Sequence, residues 1–221
     1  IQLLFFRRLV EMSPKKQAYK NLANSIIKKL NTRSIDGYYA ETAEEALEMA
    51  QRFFTPGCSI SWGGSETLKE IGLLDVLKDS DYILYDRATV PPEEADAFYG
   101  KVVQSDFYLM STNAITLDGQ LVNIDGNGNR VACLIHGPKN VIIIAGMNKV
   151  AHDVQSAIKR VQNIASPPNT VRLNKNTPCA KNGYCGDCLG EDSICCQVVI
   201  TRKSRYPGRI KVILVGEELG Y

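Results

Sequence analysis

Hydrophobic residues near the start of the chain recur at the spacing of an amphipathic helix. Four apolar residues that would share one helical face fall four positions apart: Ala18, Leu22, Ile26 and Leu30. Ser13 and Pro14 stand just before this run, and these residue types are typical of an N-cap and of the first helical position. The pattern predicts an N-terminal helix within residues 13–35.

Short apolar runs then alternate with helical patterns as far as residue 104. The runs that predict buried strands cover residues 38–40, 58–62 and 82–85. The segments that predict helices cover residues 42–54, 66–77 and 91–104. Thr42 and Glu45 have the spacing of a capping box. Alternating strands and helices favour a mostly parallel sheet with helices on both faces, so the expected fold class is α/β and Rossmann-like.

The pattern changes after residue 107, where apolar runs lie too close together for intervening helices. These runs are FYLM, AITL, LVNI, RVACLI and VIIIAG. Asp118-Gly119 and Asp125-Gly126 stand between such runs, and Asp-Gly in that position is typical of a hairpin turn. We therefore expect an antiparallel hairpin extension beside the parallel sheet.

The last part of the chain predicts a helix, a cysteine-rich loop and two closing strands. The helix is expected over residues 149–165, with Ser166-Pro167-Pro168 ending it. Residues 169–197 have little periodicity and predict a long loop, and residues 198–201 and 210–215 are expected to form a final hairpin. No internal repeat divides the chain, so residues 1–221 are expected to form a single domain.

Composition supports an ordinary globular protein and changes little else. Hydrophobic residues make up 44% and charged residues 23% of the 221 positions, which argues against a disordered or fibrous chain. The net charge is only +2, from 26 basic and 24 acidic residues. A nucleic-acid partner is therefore not expected.

The sequence carries no apolar run that predicts a membrane span. The longest such run covers residues 141–147, whereas a spanning helix needs roughly 20 residues. The initial IQLLFFRRLV has no small-residue cleavage site after a long apolar core, so it is not interpreted as a secretory signal. We expect a cytoplasmic protein, in which cysteines stay reduced.

Five of the seven cysteines lie within residues 179–196. Four of them have the spacing Cys179-x5-Cys185-x2-Cys188-x6-Cys195, and Cys196 is adjacent. Glycines within the run supply the turns that a ligand loop requires. Four thiolates suit tetrahedral zinc or a four-cysteine 4Fe-4S iron–sulfur cluster, and the spacing does not choose between them. Disulfides, or a thiol-rich loop without a role, are the alternatives.

The two other cysteines and the two histidines stand apart from the cysteine-rich segment, and for most of them a structural role is expected. Cys58 and Cys133 stand in apolar strand patterns and are expected to be small core residues. His152 is expected on a helix surface. His136, before Gly-Pro-Lys, is a candidate general base or else a solvent-exposed turn residue.

A glycine pair joins a predicted strand to a predicted helix. The candidate ligand-binding residues of this turn are Gly63, Gly64, Ser65 and Thr67, whose amides and hydroxyls suit a phosphate or carboxylate. The alternative is a tight turn with Ser65 as an ordinary N-cap. Glu66, in the same turn, is a candidate catalytic residue.

Polar residues within and beside the apolar runs after residue 107 form a second candidate group. Asn113, Asn123 and Arg130 would be costly to bury unpaired, so internal hydrogen bonds or a ligand must satisfy them. The candidate ligand-binding residues of this group are Asn113, Asp125, Asn129 and Arg130. Asp118 is a further candidate catalytic base, although hairpin turns alone explain its Asp-Gly pair.

Two long segments resemble the LUD-domain (lactate utilisation) family. They are SWGGSETLKEIGLLDVL and NAITLDGQLVNIDGNGNRVACLIHGPKNVIIIAGMNKV. The cysteine loop TPCAKNGYCGDCLGEDSICC, followed by RIKVILVGEELGY, resembles a stand-alone branch of that family. The resemblance implies the fold shared by ribose-5-phosphate isomerase, glucosamine-6-phosphate deaminase and the CoA transferases, in which a loop like residues 63–67 contacts phosphate or acyl groups. It also implies L-lactate oxidation to pyruvate beside an iron–sulfur partner protein.

Three functional hypotheses follow. The first is an oxidoreductase component of organic-acid metabolism with a small carboxylate or phosphate ligand and an iron–sulfur or other metal site on the four cysteines. The second is a non-catalytic assembly subunit in which structural zinc stiffens the cysteine loop. The third is an isomerase or transferase acting on a phosphorylated or CoA-linked substrate. A homo-oligomer is compatible with each.

Overall fold

The computed structural model describes residues 13–221, and their strands form two sheets. In chain order the strands are β1 Asp36–Ala40, β2 Ser59–Trp62, β3 Ile83–Tyr85, β4 Phe107–Met110, β5 Ala114–Thr116, β6 Leu121–Asp125, β7 Asn140–Gly146, β8 Val150–Ala151, β9 Gln197–Thr201 and β10 Ile210–Val215. The α-helices are α1 Pro14–Thr32, α2 Ala43–Gln51, α3 Glu66–Glu70, α4 Leu73–Lys78, α5 Ala95–Val102, α6 Asn129–Ile135, α7 Val154–Arg160, α8 Ser166–Arg172 and α9 Pro178–Asn182. The initial segment IQLLFFRRLV lies outside the described residues.

The larger sheet is parallel and has hydrophobic residues packed on both faces. Its six strands run in the order β1-β10-β7-β4-β2-β3, and every neighbouring pair is parallel. One face packs against a core cluster that includes α1 and α6, and the other packs against a cluster that includes α2 and α4. Burial on both faces explains the unbroken apolar run of β7. The predicted α/β fold class is confirmed.

The first two helices begin at the residues that the sequence predicts. The Ser13 hydroxyl accepts a hydrogen bond from the Lys16 amide at 3.3 Å, and Pro14 occupies the first position of α1. The Thr42 hydroxyl accepts from the Glu45 amide at 3.2 Å at the start of α2. Both caps place an oxygen on an amide that the helix itself leaves unpaired.

The helical segments between β1 and β4 are shorter than predicted. The helix expected over residues 66–77 is divided into α3 and α4 at Gly72, whose φ of +73° is incompatible with an α-helix. The helix expected over residues 42–54 ends at Gln51, and only Ala95–Val102 of the segment 91–104 is α-helical. These differences leave the strand order unchanged.

The predicted antiparallel extension is confirmed only in part. Asp118-Gly119 joins β5 to β6, which pair as an antiparallel hairpin. The prediction that RVACLI forms a strand is wrong, because this run forms α6. The runs FYLM and VIIIAG do form strands, but these are β4 and β7 of the parallel sheet. Asp125-Gly126 is not a hairpin turn: Asp125 Oδ1 accepts from the Gly128 amide at 3.0 Å, and the chain then enters α6.

The last part of the chain departs from prediction in two places. The expected helix over 149–165 begins only at Val154, passes through a π-helical turn at Val161–Ala165 and continues as α8 through Pro167. The prolines do not end it because they occupy the first positions of α8, where the missing amide is tolerated. The closing strands do not form a hairpin: β9 pairs with β6 of the smaller sheet, and β10 lies between β1 and β7.

The smaller sheet, ordered β8-β5-β6-β9, is mixed, and its strands β5 and β8 follow soon after β4 and β7 of the larger sheet along the chain. β5 pairs with β8 in parallel, whereas the other two pairs are antiparallel. Among residues 13–221, no helix is both long enough and apolar enough to cross a membrane.

Asp106 joins the starts of β2 and β4. Its Oδ2 accepts from the Ser59 amide at 2.9 Å and from the Ser59 hydroxyl at 2.8 Å, and its Oδ1 accepts from Lys139 Nζ at 2.7 Å. The bond with the Lys139 ammonium, followed by the two from Ser59, lowers the pKa of this carboxyl to about 2. The ionised form therefore stabilises the folded state.

We expect the Asp106→Asn variant to be less stable than the wild type by about 1 to 2 kcal/mol at neutral pH, because charge-assisted hydrogen bonds are lost. A depressed carboxyl pKa stabilises the folded state above the unfolded pKa of about 3.9. This contribution disappears as pH falls towards about 2. The measurement is urea unfolding between pH 7 and pH 2. Asp81→Asn, at an exposed position, is the control, and a constant difference at all pH values would contradict the expectation.

Candidate functional site

A cavity of about 740 Å³ opens where β2, β4 and β7 end. Its wall includes the glycine turn of residues 63–67, residues 111–113 after β4, and Lys149 after β7. Helix α8 and the cysteine loop supply the opposite side. The carboxyl ends of parallel strands are where open α/β sheets bind ligands.

The glycine turn is shaped by close packing. A Cβ atom on Gly63 would lie 3.0 Å from Tyr108 Oη and 3.3 Å from Arg130 Cδ, so a side chain there would displace the residues behind the turn. The Ser65 hydroxyl accepts from the Leu68 amide at 3.3 Å and therefore acts as the N-cap of α3. Gly63, Gly64, Ser65 and Thr67 all line the cavity, and ligand binding by them stays a prediction.

Arg130 is the centre of a polar network at the base of the cavity. Its guanidinium donates to Asn123 Oδ1 at 2.6 Å, to Asn113 Oδ1 at 2.9 Å and to the Ile124 carbonyl at 2.8 Å. Its Nε lies 3.3 Å from Asp125 Oδ2. Internal hydrogen bonds thus satisfy most of the polar groups that the sequence placed beside apolar strands.

Asp125 is a largely buried carboxylate beside the cavity, and Arg130 compensates its charge. Its Oδ1 accepts from the Gly128 amide, whereas the buried Oδ2 faces Arg130 Nε without a hydrogen bond to any described residue. The side chain is only 9% exposed, and the residue lines the cavity. The charge of this buried oxygen is therefore compensated by the Arg130 guanidinium alone, which makes the carboxylate dependent on Arg130.

Sequence reasoning did not select Lys149, which is the basic residue most fully enclosed beside the cavity. It is 3% exposed, and its Nζ donates to Thr67 Oγ1 at 2.8 Å and to Ser111 Oγ at 3.0 Å. Burial, followed by the positive charge of Arg160, lowers the pKa of this amine to about 7. The sequence GMNKV shows a lysine just after a predicted buried strand, but nothing in this pattern indicates that the lysine itself is buried.

Arg160 adds a second buried cation behind the cavity. Its guanidinium donates to the carbonyls of Asn148 and Asn113 at 3.0 and 2.8 Å. Within the part of the chain that the structure describes, neither Arg160 nor Lys149 has a carboxylate at ion-pair distance. Basic residues also outnumber acidic ones among the residues that line the cavity, which favours an anionic ligand.

The three candidate catalytic residues are not brought together. Glu66 lines the cavity, where it pairs with Lys69 at 2.9 Å and with Arg172 at 3.5 Å. Asp118 lies on the β5–β6 turn and pairs with Arg33, and His136 is exposed at the end of α6. Neither Asp118 nor His136 lines the cavity. Asn129 does line it, together with the other candidate ligand-binding residues.

All seven cysteines lie within residues 13–221, and the structure has each of them as a free thiol. Cys58 and Cys133 are buried in the core, as predicted. Cys196 is exposed, and its Sγ lies 3.5 Å from the Ser193 carbonyl. Its amide donates to the Asp125 carbonyl at 3.1 Å, which ties the end of the cysteine loop to the end of β6.

The other four cysteines are neighbours. Burial raises the pKa of the Cys195 thiol most, and the charges of Cys185, Cys179 and Cys188 each raise it further, while a hydrogen bond with Ser166 opposes the shift. Among residues 13–221, however, no three His, Cys, Asp or Glu side chains are arranged closely enough to hold a metal ion. The four thiols thus have the chemistry of metal ligands and lie in one region, but they are not arranged around a common metal position.

Comparison with known proteins gives the family. The LUD domain family model matches residues 23–215. The chain belongs to the LUD-domain family. A DUF162 family protein from Deinococcus radiodurans has a similar crystal structure, with a TM-score of 0.51 and 12% identity over 89% of this chain and 98% of that one. At this identity the likeness shows the fold alone. No curated protein matches the chain.

In this LUD-domain protein, Ser166 connects the cysteines to the cavity. It lines the cavity at the start of α8, and its Oγ lies 3.4 Å from Cys195 Sγ. Ile194 of the cysteine loop lines the same cavity and packs against Gly126, where an added Cβ would lie 3.4 Å from Ile194 Cα. The cysteine loop is thus part of the cavity wall.

We expect the Arg130→Met variant to be less stable than the wild type by about 3 to 5 kcal/mol, because it leaves the buried Asp125 carboxylate and the asparagine oxygens unpaired. Chemical unfolding measures the loss. Arg52→Met is the control, since Arg52 is 75% exposed and only pairs with Glu48 on the same helix. Equal losses for the two variants would show that Arg130 does not hold the network together.

Proposed function

We propose that this LUD-domain protein is an oxidoreductase component that oxidises a small 2-hydroxy acid, of the L-lactate to pyruvate type. The LUD-domain family is associated with lactate utilisation, which gives the substrate class. The substrate would bind in the cavity at the ends of the parallel strands, and the cysteine loop would hold an iron–sulfur cluster whose chemistry is electron transfer. The observation that carries the proposal is Ser166, which lines the cavity and contacts Cys195.

The charges around the cavity match the two polar groups of a 2-hydroxy acid. A carboxylate is attracted by the buried guanidinium groups of Arg130 and Arg160, and Gly64 of the glycine turn lines the same cavity. The hydroxyl needs an acceptor, and Asp125 is the carboxylate that lines the cavity beside Arg130. Asn113 and Asn129 line the space between these groups.

The cluster would be held by the four neighbouring thiols Cys179, Cys185, Cys188 and Cys195. All four are free, and burial raises the pKa of the Cys195 thiol, so a cationic centre would be needed to stabilise its thiolate. The Thr177 hydroxyl lies 3.3 Å from Cys179 Sγ and would donate a hydrogen bond to a sulfur ligand there. When bound, the cluster supplies one-electron transfer.

The proposal has consequences for location and partners. A reduced thiol cluster suits the cytoplasm. Electrons that leave the cluster require an acceptor, for which an iron–sulfur partner protein is the natural class. Electron transfer to that partner then requires the cysteine loop to be accessible to it.

A structural zinc ion is the second candidate for the same cysteines. The cysteine loop forms part of the cavity wall and is tied to β6 through the Cys196 amide. A zinc ion at this place would stiffen the wall without taking part in electron transfer. The chain would then be a binding or assembly subunit.

We expect protein purified without oxygen to contain iron and sulfide and to show the broad visible absorbance of an iron–sulfur cluster. The Cys185→Ser and Cys188→Ser variants should lose this metal, because each removes a thiolate ligand. Cys196→Ser is the matched control, since Cys196 is exposed and stands outside the group of four. Elemental analysis and absorbance are the measurements. Zinc without iron would favour the structural alternative, and a colourless, metal-free protein would contradict both.

We expect the Asp125→Asn variant to bind L-lactate at least roughly tenfold more weakly than the wild type, because a hydrogen bond to a charged group contributes about 1.5 to 3 kcal/mol. Isothermal calorimetry measures the affinity, and thermal unfolding with and without L-lactate provides a second readout. Asp81→Asn is the control. If Asp125→Asn binds L-lactate as tightly as the wild type does, the substrate hydroxyl does not bind Asp125. If the wild type does not bind L-lactate, the proposed substrate is wrong.

A further inference from the structure

Lys149 stands at the cavity in surroundings that complement an uncharged amine. A neutral amine has two hydrogens and one lone pair, whereas an ammonium has three hydrogens and no acceptor. Nζ has two acceptors among the described residues, Thr67 Oγ1 and Ser111 Oγ. These hydroxyls can accept from Nζ because each donates its own hydrogen to a carbonyl, of Leu219 at 3.4 Å and of Thr112 at 3.3 Å. The lone pair is then left for a group in the cavity.

The charges around Nζ also favour the uncharged amine. Burial and the neighbouring guanidinium groups of Arg160 and Arg130 disfavour the ammonium form, and only Glu70 opposes them. The Glu70 carboxylate is itself engaged, since its Oε2 accepts from the Gly220 amide at 2.6 Å. The pKa of about 7 follows from this balance, whereas a surface lysine titrates near 10.4. Lys149 thus supplies a nucleophilic amine at neutral pH.

We propose that Lys149 forms an imine with the carbonyl carbon of a small 2-oxo acid held in the cavity. The proposal rests on the proposed function, because a 2-oxo acid is the product of 2-hydroxy-acid oxidation. The same positive charges that disfavour the ammonium attract the carboxylate of the 2-oxo acid. The carbonyl is then delivered beside the one amine of the cavity wall that is deeply buried.

The step needs no oxidant or reductant. The Nζ lone pair forms a bond to the carbonyl carbon as the carbonyl π electrons move to oxygen. Nitrogen then loses its two protons to that oxygen, and the oxygen leaves as water. An amine and a carbonyl thus give an imine and one water, and hydrolysis reverses the reaction.

The experiment is reductive trapping of the full chain with pyruvate and sodium cyanoborohydride. Hydride converts an imine to a stable secondary amine, so intact mass measurement should show one carboxyethyl group per chain, and peptide mapping should place it on Lys149. The rate should rise with pH around 7, whereas surface lysines should react appreciably only at much higher pH. Lys69→Arg, which changes an exposed lysine of the cavity rim, should keep the adduct.

Lys149→Arg should lose the adduct, and Lys149→Met provides a second variant if arginine disturbs the cavity. Because the adduct is mapped in the wild-type protein, the result does not depend on how either variant folds. Label spread over surface lysines, or no label at saturating pyruvate, would overturn the inference. If L-lactate binds and is oxidised but pyruvate is not trapped, the imine alone is wrong. If pyruvate is trapped on Lys149 but L-lactate is neither bound nor oxidised, the proposed function alone is wrong.

Discussion

The pairing of the buried Arg130 guanidinium determines the shape of the site. A guanidinium in the interior must find acceptors in several directions at once, and here they come from Asn113, just before β5, and from Asn123 and Asp125 on β6. The Arg130 side chain also packs against Gly63 of the larger sheet. One charged side chain therefore joins the glycine turn to the β5–β6 hairpin, and the cavity lies between them.

Much of the fold could be predicted from the sequence where local signals and burial agree. The Ser13 and Thr42 caps, the unbroken apolar run of β7 and the Asp118-Gly119 turn each have a local cause that the structure retains. RVACLI could not be assigned in the same way, because an apolar run of this length suits a strand or a buried helix turn. Gly128, with φ of +81°, begins α6 there, and only its backbone conformation settles the choice.

Only part of the candidate site could be predicted from the sequence. Residues 63–67 and the polar residues near Arg130 could be found because glycine turns and polar groups in apolar runs have a recognisable physical cost. Asp118 and His136 have suitable chemistry but lie away from the cavity. Lys149 was missed for the opposite reason, since its chemistry depends on burial by Thr67, Ser111 and the neighbouring arginines, which come from separate parts of the chain. Side-chain identity is local, whereas a pKa is a property of the folded environment.

The strand order of the larger sheet has a consequence for how this protein is made. The edge strand β1 hydrogen-bonds only to β10 within that sheet, and β10 also completes the pairing of β7. A chain emerging from the ribosome therefore cannot close this sheet until β10 has emerged, and contacts so distant along the chain form slowly. Until then the edges of β1 and β7 are open to wrong pairing. Chaperone capture during synthesis would protect these edges.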